Sequence, residues 1–169
     1  MNTVAAGPRA PRLIVGPIWI ILCLAGFAAS RPAQADGALQ GASAEVAPLL
    51  AQMGAAANAH DVERHVGFYA RDPSTVLISN GEAIVGWEAI RDRQREWWKN
   101  GNTDVVYAMQ GKPHFRSPAP GIVVSTLFMK SRRTMPDGSV KEGDLAVSAL
   151  WQKRPEGWRI IYSHESTSH

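Results

Sequence analysis

Apolar positions along the chain change spacing three times, and the changes mark its elements. Val46, Leu49, Leu50 and Met53 recur at helical spacing, which predicts a helix starting near Ser43, with Ala55 to Ala59 continuing it as good helix formers. Asp61 reads as the N-cap of a second short helix over Val62 to Tyr69, with Val62, Val66 and Tyr69 on one side and His65 beside them. Arg71-Asp72-Pro73 ends that helix, because proline disfavours the helical region for the residue before it. The period then shortens to two. Thr75 to Ser79 is a strand, Asn80-Gly81 a hairpin turn, and Ala83 to Val85 the return. A third helix runs from Trp87 to about Asn100, with Ile90, Gln94 and Trp97 near one face. Asn100-Gly101-Asn102 ends it, since Asn and Gly tolerate the left-handed cap.

Four strands follow, over about 104–117, 122–133, 140–153 and 157–166. Pro118-Ala119-Pro120-Gly121, Met135-Pro136-Asp137-Gly138 and Arg154-Pro155-Glu156-Gly157 are turn sequences between them. The pattern predicts an α+β domain whose long strands form an antiparallel meander with helices on one face. In the last strand, strict alternation puts Trp158, Ile160, Tyr162, His164 and Ser166 on one face. That face begins apolar and ends polar, as a strand would that leaves a core at the mouth of a cavity.

The beginning of the chain has a different character. Arg9 and Arg12 precede an apolar run from Leu13 to Ala29, and Ala33-Gln34-Ala35 follows as a small-x-small cleavage site. This is the layout of a secretory signal peptide over residues 1–35. A retained anchor is the rival reading, and the run is at the lower limit for spanning a bilayer. Residues 36–42 read as a mobile leader and residues 43–169 as the domain. The expectation is an exported protein, periplasmic or secreted, with no stable membrane anchor after cleavage. The only cysteine, Cys23, lies in the apolar run, so the remainder has no disulfide.

Charge follows the same division. Three of the 18 basic residues and none of the 15 acidic ones precede Asp36, which leaves a net charge of zero beyond the signal. The basic character of the whole chain thus belongs to the export segment, and nucleic acid is excluded as an expected partner.

Three short stretches carry a resemblance. His60-Asp61-Val62 with Phe68-Tyr69-Ala70-Arg71-Asp72 looks like an acid-capped second helix and its ending. Gly81 followed by Ile84-Val85-Gly86-Trp87-Glu88-Ala89-Ile90 looks like the entry to a third helix. Gly157-Trp158-Arg159-Ile160-Ile161-Tyr162-Ser163-His164-Glu165-Ser166 looks like a closing strand. In this order they resemble the nuclear transport factor 2-like superfamily, and within it the SnoaL-like, polyketide-cyclase-like bacterial branch, over about 43–166. The resemblance implies a cone-shaped half-barrel of curved antiparallel sheet packed against three N-terminal helices. It also implies a pocket between sheet and helices, and often a homodimer through the sheet's outer face. It does not imply one chemistry, because the superfamily holds isomerases, cyclases, dehydratases, binding domains and assembly domains.

Candidate chemistry is sparse. His164 is the best single acid–base candidate, at the polar end of the last strand. Asp144, on the third long strand with Glu142 and Ser148, is its candidate carboxylate partner. The opposite face of that strand (Leu145, Val147, Ala149, Trp151) is the more apolar, which leaves open which face lines a pocket. Tyr69, Trp87, Trp97 or Trp98, Trp151 and Tyr162 are candidate aromatic walls, and Ser166 a hydrogen-bonding neighbour. Trp97 and Trp98 are not both expected to point inward from one helix. His65 and His114 read as surface or satisfied histidines. The chain lacks metal-ligand spacing, a phosphate-binding glycine loop and a nucleophile elbow, so no metal and no cofactor are expected. Three readings follow: a domain binding a small, largely apolar molecule; an isomerase, cyclase or dehydratase moving a proton next to a carbonyl; or a dimerisation scaffold without ligand.

Overall fold

A computed structural model describes residues 32–168. The apolar run of the expected signal peptide lies outside the described residues. Helix α1 spans Pro32–Asn58, so it begins before Ser43 and carries the residues read as a leader. Val46 and Leu50 are buried on it and Leu49 and Met53 half-buried, as their spacing predicts. Helix α2 is only Val62–Val66. The Asp61 side chain caps it by accepting from the Arg64 N–H at 3.0 Å. Past Gly67 the chain runs beside the last strand instead of continuing the expected helix to Tyr69. The Ile160 N–H donates to the Phe68 carbonyl and the Ala70 N–H to the Ile160 carbonyl, both at 2.8 Å. Backbone groups that a longer helix would have used are satisfied across this bridge.

Strands β1 (Val76–Ser79) and β2 (Glu82–Val85) form the predicted hairpin. Asn80 and Gly81 both take positive φ, 52° and 82°, as a two-residue turn of this hand requires. Helix α3 is Trp87–Trp97, and a tight turn at Lys99–Gly101 ends it. The long strands β3 (Val106–Ala119), β4 (Ile122–Thr134), β5 (Val140–Arg154) and β6 (Gly157–Ser168) make the meander. The six strands form one open, curved sheet in the order β2-β1-β6-β5-β4-β3. The sheet is mixed rather than wholly antiparallel, because β1 pairs with β6 in parallel. The domain is α+β, as expected, with three helices against the sheet.

One core joins the layers: Val46, Val66 and Ile90 from the helices meet Leu77, Val123, Trp151 and Ile160 from the sheet. Two polar clasps fasten α1 to the sheet, one at mid-helix and one at its C-terminal end. Glu45 Oε2 accepts from Lys153 Nζ at 2.6 Å and from Trp158 Nε1 at 2.8 Å. The Asn58 side chain donates to the Tyr107 carbonyl at 2.9 Å and accepts from its N–H at 2.7 Å.

A β-bulge decides which residues face inward. Trp151 pairs with Ile160 but Leu150 pairs with Tyr162, so Ile161 has no partner on β5. One extra residue reverses the alternation beyond it. Trp158, Ile160 and Ser163 are buried, whereas Tyr162, His164 and Ser166 are exposed on the outer face. The expectation that all five alternate residues share one face is corrected by this bulge.

Candidate functional site

Between the helices and the inner face of the sheet lies a cavity of about 330 Å³. From α1 it is walled by Leu50, Met53 and Ala57, from α2 by His65, and from the end of α3 by Gln94, Trp97 and Trp98. The sheet contributes Tyr107 and Met109 (β3), Leu127 and Met129 (β4), Leu145 and Val147 (β5) and Glu165 (β6). The apolar face of β5 is therefore the inner one. Both tryptophans reach the cavity where α3 stops at Trp97. Trp98 is buried there, and Trp97 reaches the wall half-buried.

Glu165 is the most unusual group in this wall. Its register partners are Val147 on β5 and Ser79 on β1. Among the described residues its carboxyl has no hydrogen-bond or ion-pair partner. Burial pushes its pKa up to about 7. Its charge acts on both nearby phenols: Tyr69 and Tyr107 are raised first by burial and further by Glu165. Gln94 is only 6% exposed, and its side-chain amide likewise has no partner among the described residues. Two polar side chains thus present their tips to an apolar cavity without partners among the described residues, so only what occupies the cavity can meet them.

The other polar groups are occupied. His65 Nδ1 lies 3.3 Å from the Met53 carbonyl, which only accepts, so that nitrogen carries the proton and Nε2 keeps its lone pair. Burial lowers the His65 pKa to about 4, against the opposing effect of that hydrogen bond, so the ring is neutral at physiological pH. Its ring meets Trp98 edge-on at 4.9 Å. Trp98 Nε1 donates to the Tyr107 hydroxyl at 3.3 Å, and the Asn58 clasp holds the Tyr107 backbone in place.

The residues singled out from sequence are dispersed. Trp97 is at the cavity wall. Tyr69 is buried in the core beneath it, its hydroxyl 3.0 Å from Ser163 Oγ. Trp151 is fully buried and donates to Ser125 Oγ at 2.9 Å. Trp87 donates to the Val66 carbonyl at 3.0 Å and is covered by the guanidinium groups of Arg71 and Arg91. Tyr162, His164 and Ser166 lie on the outer face. Asp144 is there too, paired with Lys130 at 3.2 Å. His164 sits opposite Ser148 and Asp144 opposite Ser168. Four residues of strand, roughly 13 Å, separate the two positions, so the expected His164–Asp144 partnership does not form. Among the described residues no group of three or more His, Cys, Asp or Glu is placed to hold a metal ion.

Glu165, Gln94 and the three methionines were not read from sequence as site residues. A signal for Glu165 existed in the apolar face of β5: whichever residue of β6 pairs with Val147 must face the cavity. A register without a bulge makes that residue His164; with Ile161 bulged it is Glu165.

An open curved sheet with helices closing a cavity on one face defines an α+β domain of the pocket-bearing kind. More particularly, the chain has the nuclear transport factor 2-like, or cystatin-like, fold. A nuclear transport factor 2-like protein from Salmonella enterica serovar Typhimurium is similar with a TM-score of 0.63 at 17% identity, over 79% of this chain and 93% of that one. A ketosteroid isomerase-like protein from Erwinia carotovora aligns with a TM-score of 0.61 at 17% identity, over 75% and 95% of the two chains. A protein from Catenulispora acidiphila, solved in complex with S-DNPA, aligns with a TM-score of 0.62 at 16% identity, over 76% and 94%. No protein-family model and no curated protein sequence matches the chain. At these identities the likeness establishes the fold and leaves the chemistry to the cavity itself.

Proposed function

We propose that the chain is a binding domain for a small, largely apolar molecule held between α1–α3 and the inner face of the sheet. The observation that carries this reading is the 330 Å³ cavity walled by leucine, methionine and tryptophan side chains, the size of a small-ligand site. A ligand bound to the Catenulispora acidiphila protein of the same fold supports it. The apolar run Leu13–Ala29 with Ala33-Gln34-Ala35 supports export to the periplasm or beyond. The outer sheet face, with Phe128 50% and Tyr162 39% exposed, supports a homodimer formed there. The neutral probe N-phenyl-1-naphthylamine tests the cavity. Its fluorescence should rise saturably with the wild-type chain and not with Val147→Trp, which fills the wall. Equal binding by both would place the probe elsewhere and remove the reading. Native mass spectrometry of the same samples reports the subunit count.

One observation favours a second reading. Glu165, unpaired and titrating near neutrality, suits a base or acid that moves a proton next to a carbonyl. The Tyr107 hydroxyl and the Gln94 amide are the neutral donors in the same wall for the oxygen that would gain charge. Solvent deuterium exchange at the α-carbon of a cyclic enone, followed by NMR, is the check. Exchange that survives Glu165→Gln excludes this role.

A further inference from the structure

The cavity wall is electrically lopsided. Among its described lining residues there is one carboxyl, Glu165, and no lysine or arginine. The carboxyl has no partner among the described residues. Elsewhere in the wall the Gln94 amide has no partner among the described residues, and His65, protonated at Nδ1 by its bond to Met53, keeps a lone pair at Nε2. The aromatic rings of Trp97, Trp98 and Tyr107 and the thioethers of Met53, Met109 and Met129 complete the wall. Aromatic faces attract cations, and thioether sulfur is a soft, weak acceptor. An anionic ligand would meet no positive side chain here and one negative group.

We propose that the cavity recognises an apolar molecule bearing a protonated amine, with the ammonium on Glu165 and the hydrocarbon or ring against the tryptophans and methionines. This rests on the binding reading above and names the ligand class for that same cavity. An ammonium has three donors; Glu165 is the charged acceptor for one, and the Gln94 amide oxygen and His65 Nε2 are further acceptors in the same wall. It brings the charge that the wall lacks, and it turns a costly unpaired carboxylate into half of a charge-assisted hydrogen bond.

The groups around Glu165 make its titration the one that governs binding near neutrality. Helix α1 contributes apolar side chains and the engaged Asn58. His65 of α2 is neutral above about pH 4. From α3 come Gln94 and two tryptophans, while Arg93 and Arg95 are held by Glu82 and Glu63. Ser79 and Val147 flank Glu165 on the neighbouring strands. Tyr69 and Tyr107 are raised and stay neutral. Arg133 on β4, which acts on Tyr107, pairs with Asp104. An aliphatic amine remains protonated to about pH 10. Amine affinity should therefore climb from pH 6 to pH 8 as Glu165 ionises, whereas a neutral ligand should show no such rise.

Tryptamine, tryptophol and indole-3-propionate form a matched set of cation, neutral molecule and anion. Isothermal titration calorimetry of the purified chain at pH 6, 7 and 8 is the experiment. Tryptamine should bind at least about tenfold tighter than tryptophol at pH 8, a gap typical of a hydrogen bond to a charged group. The gap should shrink at pH 6 and vanish in Glu165→Gln, and indole-3-propionate should bind weakest to the wild type. Tryptophol binding as tightly as tryptamine at pH 8 would overturn the ammonium assignment and leave the binding reading standing. Failure of all three to bind would remove both. The wild-type comparison decides the matter even if Glu165→Gln folds poorly.

Discussion

Replacing Glu165 by glutamine keeps the shape of the cavity wall and removes its titration, and the stability of the chain should report the difference. Glutamate has a model value of 4.5, and burial raises Glu165 to about 7 in the folded state. A raised acid contributes stability that is complete below its unfolded pKa and is lost as pH rises through its folded pKa. At about 1.4 kcal/mol per pKa unit the shift is worth ~3 kcal/mol at most. Glu165 is only part-buried and keeps some solvent contact, so an effect of ~1–2 kcal/mol is expected. His65 acts in the opposite sense. Its pKa falls from 6.5 to about 4, so its contribution is complete above pH 6.5 and is lost as pH falls through 4.

Between about pH 4.5 and 6.5 the two slopes therefore oppose each other. On their account the wild-type chain should lose only ~1–2 kcal/mol as pH falls across that window. Glu165→Gln should lose up to ~3 kcal/mol over the same two units, because the His65 slope is no longer offset. At pH 8 the variant should be the more stable of the two. The carboxyls of Glu45, Asp72, Glu82 and Asp137 are all held below their ordinary values by hydrogen bonds, and they affect both proteins alike. Urea unfolding at pH 4.5, 5.5, 6.5 and 8 measures all of this. Parallel curves for the two proteins, or a variant less stable at pH 8, would refute the placement of an unpaired Glu165 in the cavity wall.

Three smaller perturbations separate core from surface. Trp151→Phe should cost about 2–3 kcal/mol, because it leaves buried Ser125 Oγ without its 2.9 Å donor and opens space in the core. A shift in denaturation midpoint worth less than half a kcal/mol would contradict that hydrogen bond. His164→Gln and Asp144→Asn, both on the outer face, should each change stability by under about 0.5 kcal/mol and leave N-phenyl-1-naphthylamine binding untouched. Loss of probe binding in either would mean that the outer face communicates with the cavity.

What was legible in the chain was set by local rules. Asn80-Gly81, the Asp61 cap, the turns of the meander and the helical spacing of Val46 and Leu50 depend on near neighbours, and the structure realises them. The parallel pairing of β1 with β6 was not legible, because it joins residues more than eighty positions apart. The termination of α2 at Val66 was hidden for the same reason: the hydrogen bonds that replace its last turn come from Ile160. Composition could not locate the cavity either, since its polar groups are scattered over α2, α3, β3 and β6.

The exchange of His164 for Glu165 shows how a distant constraint reaches a site. Alternation from Trp158 gives the correct face for Ile160 and the wrong one for every residue after Ile161, because the bulge adds one residue to β6 and none to β5. Nothing in Ile160-Ile161-Tyr162 marks the bulge, as all three are ordinary strand residues. The consequence is chemical as well as geometric. An inward His164 would have put an imidazole in a cavity already bordered by the neutral His65, whereas the bulge puts a carboxyl there and turns the imidazole to solvent. A wall that keeps an unpaired carboxyl sacrifices stability above neutral pH. On the reading proposed above, that cost is what keeps a carboxyl available to whatever enters the cavity.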